Sequence, residues 1–357
     1  MYYSKIGANQ SGFTNQIFSL ISSIMIAYKE KKKVIIVDNF LNDINKKTYT
    51  PISDIFNITD INIFLKHNYD IIIIDKNNIQ FEIISFEYGS NDSHYIDLTD
   101  IIKNEYLKNN KLVFLKQYSF NNIKGDPCPG IVKNIIFKYK INDYYIEEIY
   151  NEYLDHDIII DFNGPYIHTF NWVNSFNNNM FDKILTNISY NNDFILKAKL
   201  RLKEININKK INIIHLRLEE DGIKHWSKIN NISCDKFKNI LEEKYINIIK
   251  NYLSKTDENI ILTSSISVSS NGVINFLIQN NYNYRFIDKF FEYREKNAII
   301  DLLVAQNCNN IFIGNYNIKN NIGSSFSYYI TKYIKNIVTN IYIDLDKIYD
   351  KEVVFLP

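Results

Sequence analysis

Residues 211–226 read INIIHLRLEEDGIKHW, an apolar run set directly against one arginine, three acids, two histidines and a tryptophan. The first half has the composition of a strand buried on both faces, as in a parallel sheet. Such a strand ends in arginine when the guanidinium reaches something at the sheet edge, and its planar fork suits phosphate oxygens. The plainer alternative pairs Arg217 with Glu219 or Glu220 in a solvated loop, an arrangement that contributes little to stability. Taken alone, the stretch supports both readings equally.

Its surroundings are more decisive. Working outward, the apolar spacing predicts helices over about 193–205, 235–253, 272–280 and 294–306, alternating with strands at INIIHL, NIILTSS, 285–287 and 311–314, with a last helix from near Ser324. In the first half, Ile17, Leu20, Ile21, Ile24 and Ala27 recur at helical spacing within 14–32 and are followed by a strand at 34–37. Further strands are expected at 71–74, 79–86, 112–115 and 158–160, and a loop-rich aromatic connection from Asp161 to Ile184. Strands alternating with helices imply an α/β fold with parallel sheets covered on both faces, and ligands in such sheets sit at the carboxyl ends of the strands.

Composition narrows the function. The 357 residues are enough for two domains, and 46% apolar with 15% aromatic residues provides their cores. A net charge of +1, from 41 basic and 40 acidic residues, gives no long-range field, so neither nucleic acid nor an anionic membrane is expected as a partner. Cys128, Cys234 and Cys308 are too few and too scattered for a disulfide framework. No apolar run approaches the roughly 18 residues of a membrane span, and MYYSKIGANQSGFTNQIFSL lacks the pattern of a signal peptide, so a soluble cytoplasmic protein is expected. The abundance of Asn, Ile, Lys and Tyr fits the coding bias of an AT-rich genome, such as that of a microbe or a large DNA virus.

Three expected strand ends carry unusual chemistry. In SGFTNQ, Ser11–Gln16, Gly12 and Phe13 open a helix whose backbone can approach a diphosphate or sugar, with Asn15 as a hydrogen-bond donor; on this motif alone an ordinary turn and helix start is the better reading. HLRLEED is the second. In the third, IFIG runs through an asparagine-rich loop containing the tract 318–321 into Gly323-Ser324-Ser325-Phe326-Ser327, where backbone N–H groups, a helix dipole and hydroxyls converge. No Walker loop is present. Trp172 and Trp226, with His168, offer aromatic faces to a sugar, although the wall of a core or cleft would use them as readily. No histidine or cysteine spacing suggests zinc, and no Asp-x-Asp pair is poised for a metal.

Taken in order, SGFTNQ, HLR-x-E-x-D and IDLLVAQ…IFIG…SSFS resemble the GDP-fucose-dependent fucosyltransferases, and among them the protein O-fucosyltransferase-like group. The resemblance implies a GT-B arrangement, two Rossmann-like domains whose parallel sheets face a central cleft. Residues 1–190 would form the N-terminal domain on the acceptor side and 191–335 the nucleotide-sugar domain, with 336–357 packing back on the N-terminal domain. It further implies that Arg217 holds the donor diphosphate, that His215 faces the nucleotide and that Asn15 reaches the donor from the other domain. Ser324, Ser325 and Phe326 would form the phosphate-binding helix start, and Asp301 would lie near the guanine. Glu220 and Asp221 are the candidate bases. The implied function is inverting transfer of fucose from GDP-fucose, or of a related GDP-sugar, to a hydroxyl of a glycan or protein, with no metal or other cofactor. A relative that binds a glycan or nucleotide sugar without turnover is the alternative.

Overall fold

A computed structural model describes residues 2–7, 12–43, 47–90, 94–109, 111–154, 157–161, 166–167, 178–205, 208–263, 271–287, 289–317 and 322–355. In the first half, the strands Tyr166–Ile167, Tyr2–Ser4, Val34–Val37 and Ile72–Asp75 lie side by side, all parallel. The helix Phe13–Lys29 packs on one face, burying Ile17, Leu20, Ile21, Ile24 and Ala27 completely. Those positions follow the helical repeat read from the sequence, and they place one apolar stripe on the sheet.

The other face is covered by a second sheet rather than by helices. Tyr144–Asn151, Asn134–Ile141, Phe81–Gly89 and Tyr95–Asp97 form an antiparallel sheet in that order. Its Phe86, Phe137 and Tyr139 share a core with Val34, Ile36, Ile72 and Ile74 of the parallel sheet. The strands expected at 79–86 and 112–115 therefore exist, but in antiparallel pairings; the second, Lys111–Phe114, pairs with Ile158–Asp161. NIIFKYKI, 134–141, buries every second side chain, and the two-residue turn Asn142-Asp143, with Asn142 at φ 52°, folds the chain back into the next strand.

The second half is a six-stranded sheet. Tyr284–Phe286, Glu258–Leu262, Ile211–His215, Ile311–Gly314 and Thr339–Tyr342 run parallel, and Val353–Phe355 closes the edge antiparallel. All five residues of Ile211–His215 are buried, as their composition required. Residues 336–357 add two strands to this C-terminal sheet, while Val338 and Tyr342 lie in the core that also holds Ile17 and Phe18 of the first half. Ile341 and Ile343 have no exposed surface and pack in the C-terminal core, which is where so apolar a segment finds partners. Among the described residues no helix is long and apolar enough to cross a membrane.

The two halves meet in one shared core. Phe13 stacks on Tyr329 at 6.1 Å and 15°, and its ring also meets Tyr190 at 6.2 Å and Phe326 at 6.4 Å. Beneath them the hydroxyls of Tyr190 and Tyr329 are 2.7 Å apart and fully enclosed. Phe18, from the same helix as Phe13, meets Phe181 edge-on at 5.2 Å and Tyr328 at 6.0 Å. Truncating such a ring costs the transfer free energy plus a cavity, so Phe18→Ala is expected to lose roughly 3–5 kcal/mol in urea denaturation. A loss below about 1 kcal/mol would show that the seam relaxes around the gap.

Candidate functional site

At this seam the carboxyl ends of both parallel sheets open into one cleft. The first half contributes Gly12, Phe13, Thr14 and Asn15, the first turn of the helix that follows strand Tyr2–Ser4. His215 ends the central strand of the second half, and Arg217, Glu219 and Asp221 follow it into the helix Glu220–Ile229. Arg294, Glu295, Ala298 and Asp301 come from the helix Arg294–Ala305. Ser324, Ser325 and Phe326 start the helix Ser325–Tyr333. Three motifs separated by up to 310 residues thus converge, and the Ser325 hydroxyl donates to Asn15 Oδ1 across the cleft at 3.1 Å.

Arg217 is the best-anchored cation there. Its backbone N–H donates to the buried Tyr245 hydroxyl at 3.1 Å, which itself lies 2.6 Å from the His215 carbonyl oxygen. The guanidinium bonds Glu219 Oε2 at 2.6 Å through Nη1 and Asp221 Oδ2 at 3.1 Å through Nη2. The pairing with Glu219 that the sequence offered as the plain reading is therefore real, but Glu219 is buried and the guanidinium only partly exposed. Burial opposes the charge on Arg217, yet Glu219 and Asp221 outweigh it and keep the guanidinium firmly protonated. Gly222 makes this geometry possible: a Cβ there would stand 3.2 Å from Arg217 Cζ, so the side chain lies flat across the helix start.

His215 is neutral in this setting. Burial lowers its pKa to about 4, against the opposing field of Glu219. Its Nδ1 is 2.7 Å from the Ser327 hydroxyl, which also accepts the Asn315 N–H at 2.9 Å. The enclosed Ser327 hydrogen needs an acceptor, so it points at Nδ1 and leaves the hydrogen of the imidazole on Nε2. The Phe326 ring meets the imidazole edge-on at 5.2 Å.

The acids divide by environment. Asp301 is pushed up to about 8 by burial, with Lys289 opposing, and so carries its proton at neutral pH. For Asp221 burial also acts upward, but Arg217 outweighs it and holds the carboxyl below its ordinary range. Glu295 is raised by burial, partly countered by Arg294 and by the backbone N–H of Phe13, which it accepts. Glu220 does not line the cleft: it turns to solvent and pairs with Lys224 at 2.6 Å, because its position on the helix points away from Arg217.

All nine residues expected at the donor site line this cleft, and of the acceptor candidates Trp226 does not. Trp226 packs against the C-terminal core with His225 edge-on at 4.6 Å, outside the cleft lining. Trp172, His168 and the tract 318–321 lie outside the described residues. The sequence reading passed over Arg294 and Glu295. For Arg294 the signal was its spacing of seven residues from Asp301, which puts both on one face of the helix; Glu295 lies off that face and had no such signal. Among the described residues no group of three or more His, Cys, Asp or Glu side chains is arranged to hold a metal ion.

No family model matches the chain, and no curated protein matches it. Solved structures are similar to it over nearly its full length. POFUT1 in complex with GDP-fucose has a TM-score of 0.48 and 9% identity, covering 93% of each chain. The fucosyltransferase NodZ from Bradyrhizobium has a TM-score of 0.49 and 12% identity, covering 100% of this chain and 98% of its own. NodZ alpha-1,6-fucosyltransferase co-crystallized with GDP has a TM-score of 0.47 and 13% identity, over 99% and 97%.

The protonated Asp301 has a measurable consequence. Between its ordinary value of 3.8 and about 8, the folded chain holds a proton that the unfolded chain releases, so this group makes stability fall as pH rises through that window. The parent should lose roughly 2–4 kcal/mol from this source between about pH 5 and about pH 8 in urea denaturation. In Asp301→Asn that pH-dependent loss should shrink by the same amount, and an unchanged slope would mean that Asp301 ionises normally.

Proposed function

We propose that the chain is a glycosyltransferase that moves fucose from GDP-fucose to a hydroxyl of a glycan or protein, with inversion at the anomeric carbon and without a metal ion. The observation that carries this reading is the convergence of Arg217, His215, Asn15 and the Ser324–Phe326 turn on one cleft between the two sheets. These are the residues on which the motif resemblance rests, and no local property of the sequence required them to meet.

The chemistry follows from the charges. Breaking the bond between the anomeric carbon and the β-phosphate leaves the electron pair on the diphosphate while the sugar becomes cationic. Arg217, preorganised by Glu219, can take up that negative charge as an oxyanion site does. The first turn of Ser325–Tyr333 has no acidic residue and no side-chain cap from Ser324, so its N–H groups and helix dipole are available to an anion. Neutral His215, with its hydrogen on Nε2, donates to a polar edge of the donor without adding charge. Buried, protonated Asp301 can donate a hydrogen bond to the nucleotide without adding negative charge to the cleft.

The test incubates the protein with GDP-, UDP- and dTDP-sugars in EDTA and measures nucleotide release. GDP-fucose should turn over, and Arg217→Ala should slow release by roughly 10²–10³. Binding without release would leave a nucleotide-sugar-binding protein. Activity with UDP-sugars alone would overturn the donor, and loss of activity in EDTA would overturn metal-free transfer.

A further inference from the structure

We propose that Glu295 is the general base of the transfer, accepting the proton of the attacking hydroxyl within the cleft beside the first turn of Phe13–Lys29. The proposal rests on the donor reading above and names the residue that acts on the acceptor side of the same cleft.

Elimination among the acids supports it. Glu219 and Asp221 are both committed to the Arg217 guanidinium, at 2.6 and 3.1 Å. Taking Glu219 from that pairing would disturb the group that holds the diphosphate, and the field of Arg217 holds the exposed Asp221 below its ordinary range, which makes it the weaker base. Asp301 already carries a proton and so has no free lone pair of the required basicity. Glu220 is outside the cleft and paired with Lys224. Glu295 remains: buried, on the cleft wall and bound to the opposite half of the chain.

Its geometry suits the role. Oε2 accepts the Phe13 N–H, a contact spanning 282 residues that fixes the carboxylate at the helix start. Among the described residues, the polar contact of Oε1 is the approach of Arg294 Nε at 3.9 Å, too long to occupy that oxygen. Gly12 leaves room beside it: a Cβ there would stand 3.4 Å from Oε2 and 3.7 Å from Oε1. The charged groups around Glu295 come from several elements. Arg294 on its own helix and Arg217 beyond the central strand favour the carboxylate, while Asp43, at the end of strand Phe40–Asp43, opposes it. Burial outweighs the pull of the two arginines and makes Glu295 more basic than an ordinary carboxylate, as a base working near neutral pH requires.

In the step, the hydroxyl oxygen bonds to the anomeric carbon as its proton passes to Glu295. The bond from that carbon to the β-phosphate oxygen breaks, and its electron pair departs with GDP. Glu295 later returns the proton to solvent.

Water can serve as the acceptor in a test. GDP release from GDP-fucose is followed from about pH 4.5 to about pH 9, alongside calorimetric GDP affinity and thermal melts. The parent should lose rate on the acid side as Glu295 protonates. Glu295→Gln keeps an oxygen for the Phe13 N–H, so GDP affinity should stay within roughly twofold while the rate falls by roughly 10²–10⁴ and the acid limb disappears. In Glu295→Ala, added formate should restore part of the rate. A Glu295→Gln rate within about fivefold of the parent with the acid limb intact would overturn the assignment. Failure of the parent to bind GDP would sink the donor reading instead, and the base with it.

Discussion

Stacking Phe13 on Tyr329 fixes the start of the first long helix against the last one, and the cleft depends on that contact. The two helices belong to opposite halves of the chain, and each presents its N-terminal turn to the same space. Without a shared apolar seam the two turns would be free to move relative to each other, as halves joined by a small polar interface do. The seam is aromatic and closed to solvent, and the hydroxyls of Tyr190 and Tyr329 satisfy one another inside it. The cross-cleft contacts, Ser325 to Asn15 and Phe13 N–H to Glu295, sit on the rim of that core and inherit its rigidity.

Burial then sorts the charges. The same low-polarity surroundings that keep His215 neutral and Asp301 protonated strengthen the pairing of Arg217 with Glu219. An isolated guanidinium would be costly to enclose there, whereas one held by a buried carboxylate is tolerable and points in a fixed direction. Tyr245 completes the arrangement from behind by holding both the His215 carbonyl and the Arg217 N–H. The side chains that would meet a ligand are therefore aimed by neighbours that would not.

Much of this was legible in the sequence because it is periodic or local. The stripe from Ile17 to Ala27, the apolar run Ile211–Ile214 and the glycine and serines at 323–325 each carry their structural meaning within a few residues. The antiparallel sheet was missed although NIIFKYKI alternates plainly, because alternation shows that one face is buried and not what buries it. That Val34 and Ile36 meet Phe137 rather than a helix is a tertiary fact. Glu220 and Asp221 looked equivalent in sequence, yet one step along a helix turns a side chain by about 100 degrees, enough to put one on Arg217 and the other in water. Glu295 was invisible for a different reason: its partner, the Phe13 N–H, lies at the other end of the chain.

Asp221 and Glu219 both bind Arg217, but they are not equivalent there. The Glu219 side chain is 6% exposed and that of Asp221 60% exposed, so only the second can exchange its bond for water or for an incoming anion at modest cost. Glu219 can hold the guanidinium in place while Asp221 gives up Nη2. A diphosphate arriving at the cleft would then meet an arginine already oriented and half occupied, replacing one carboxylate rather than stripping two. Such an exchange would leave Arg217 with a partner on each side before and after binding, so that the acidic loop and the proposed diphosphate site could share one guanidinium.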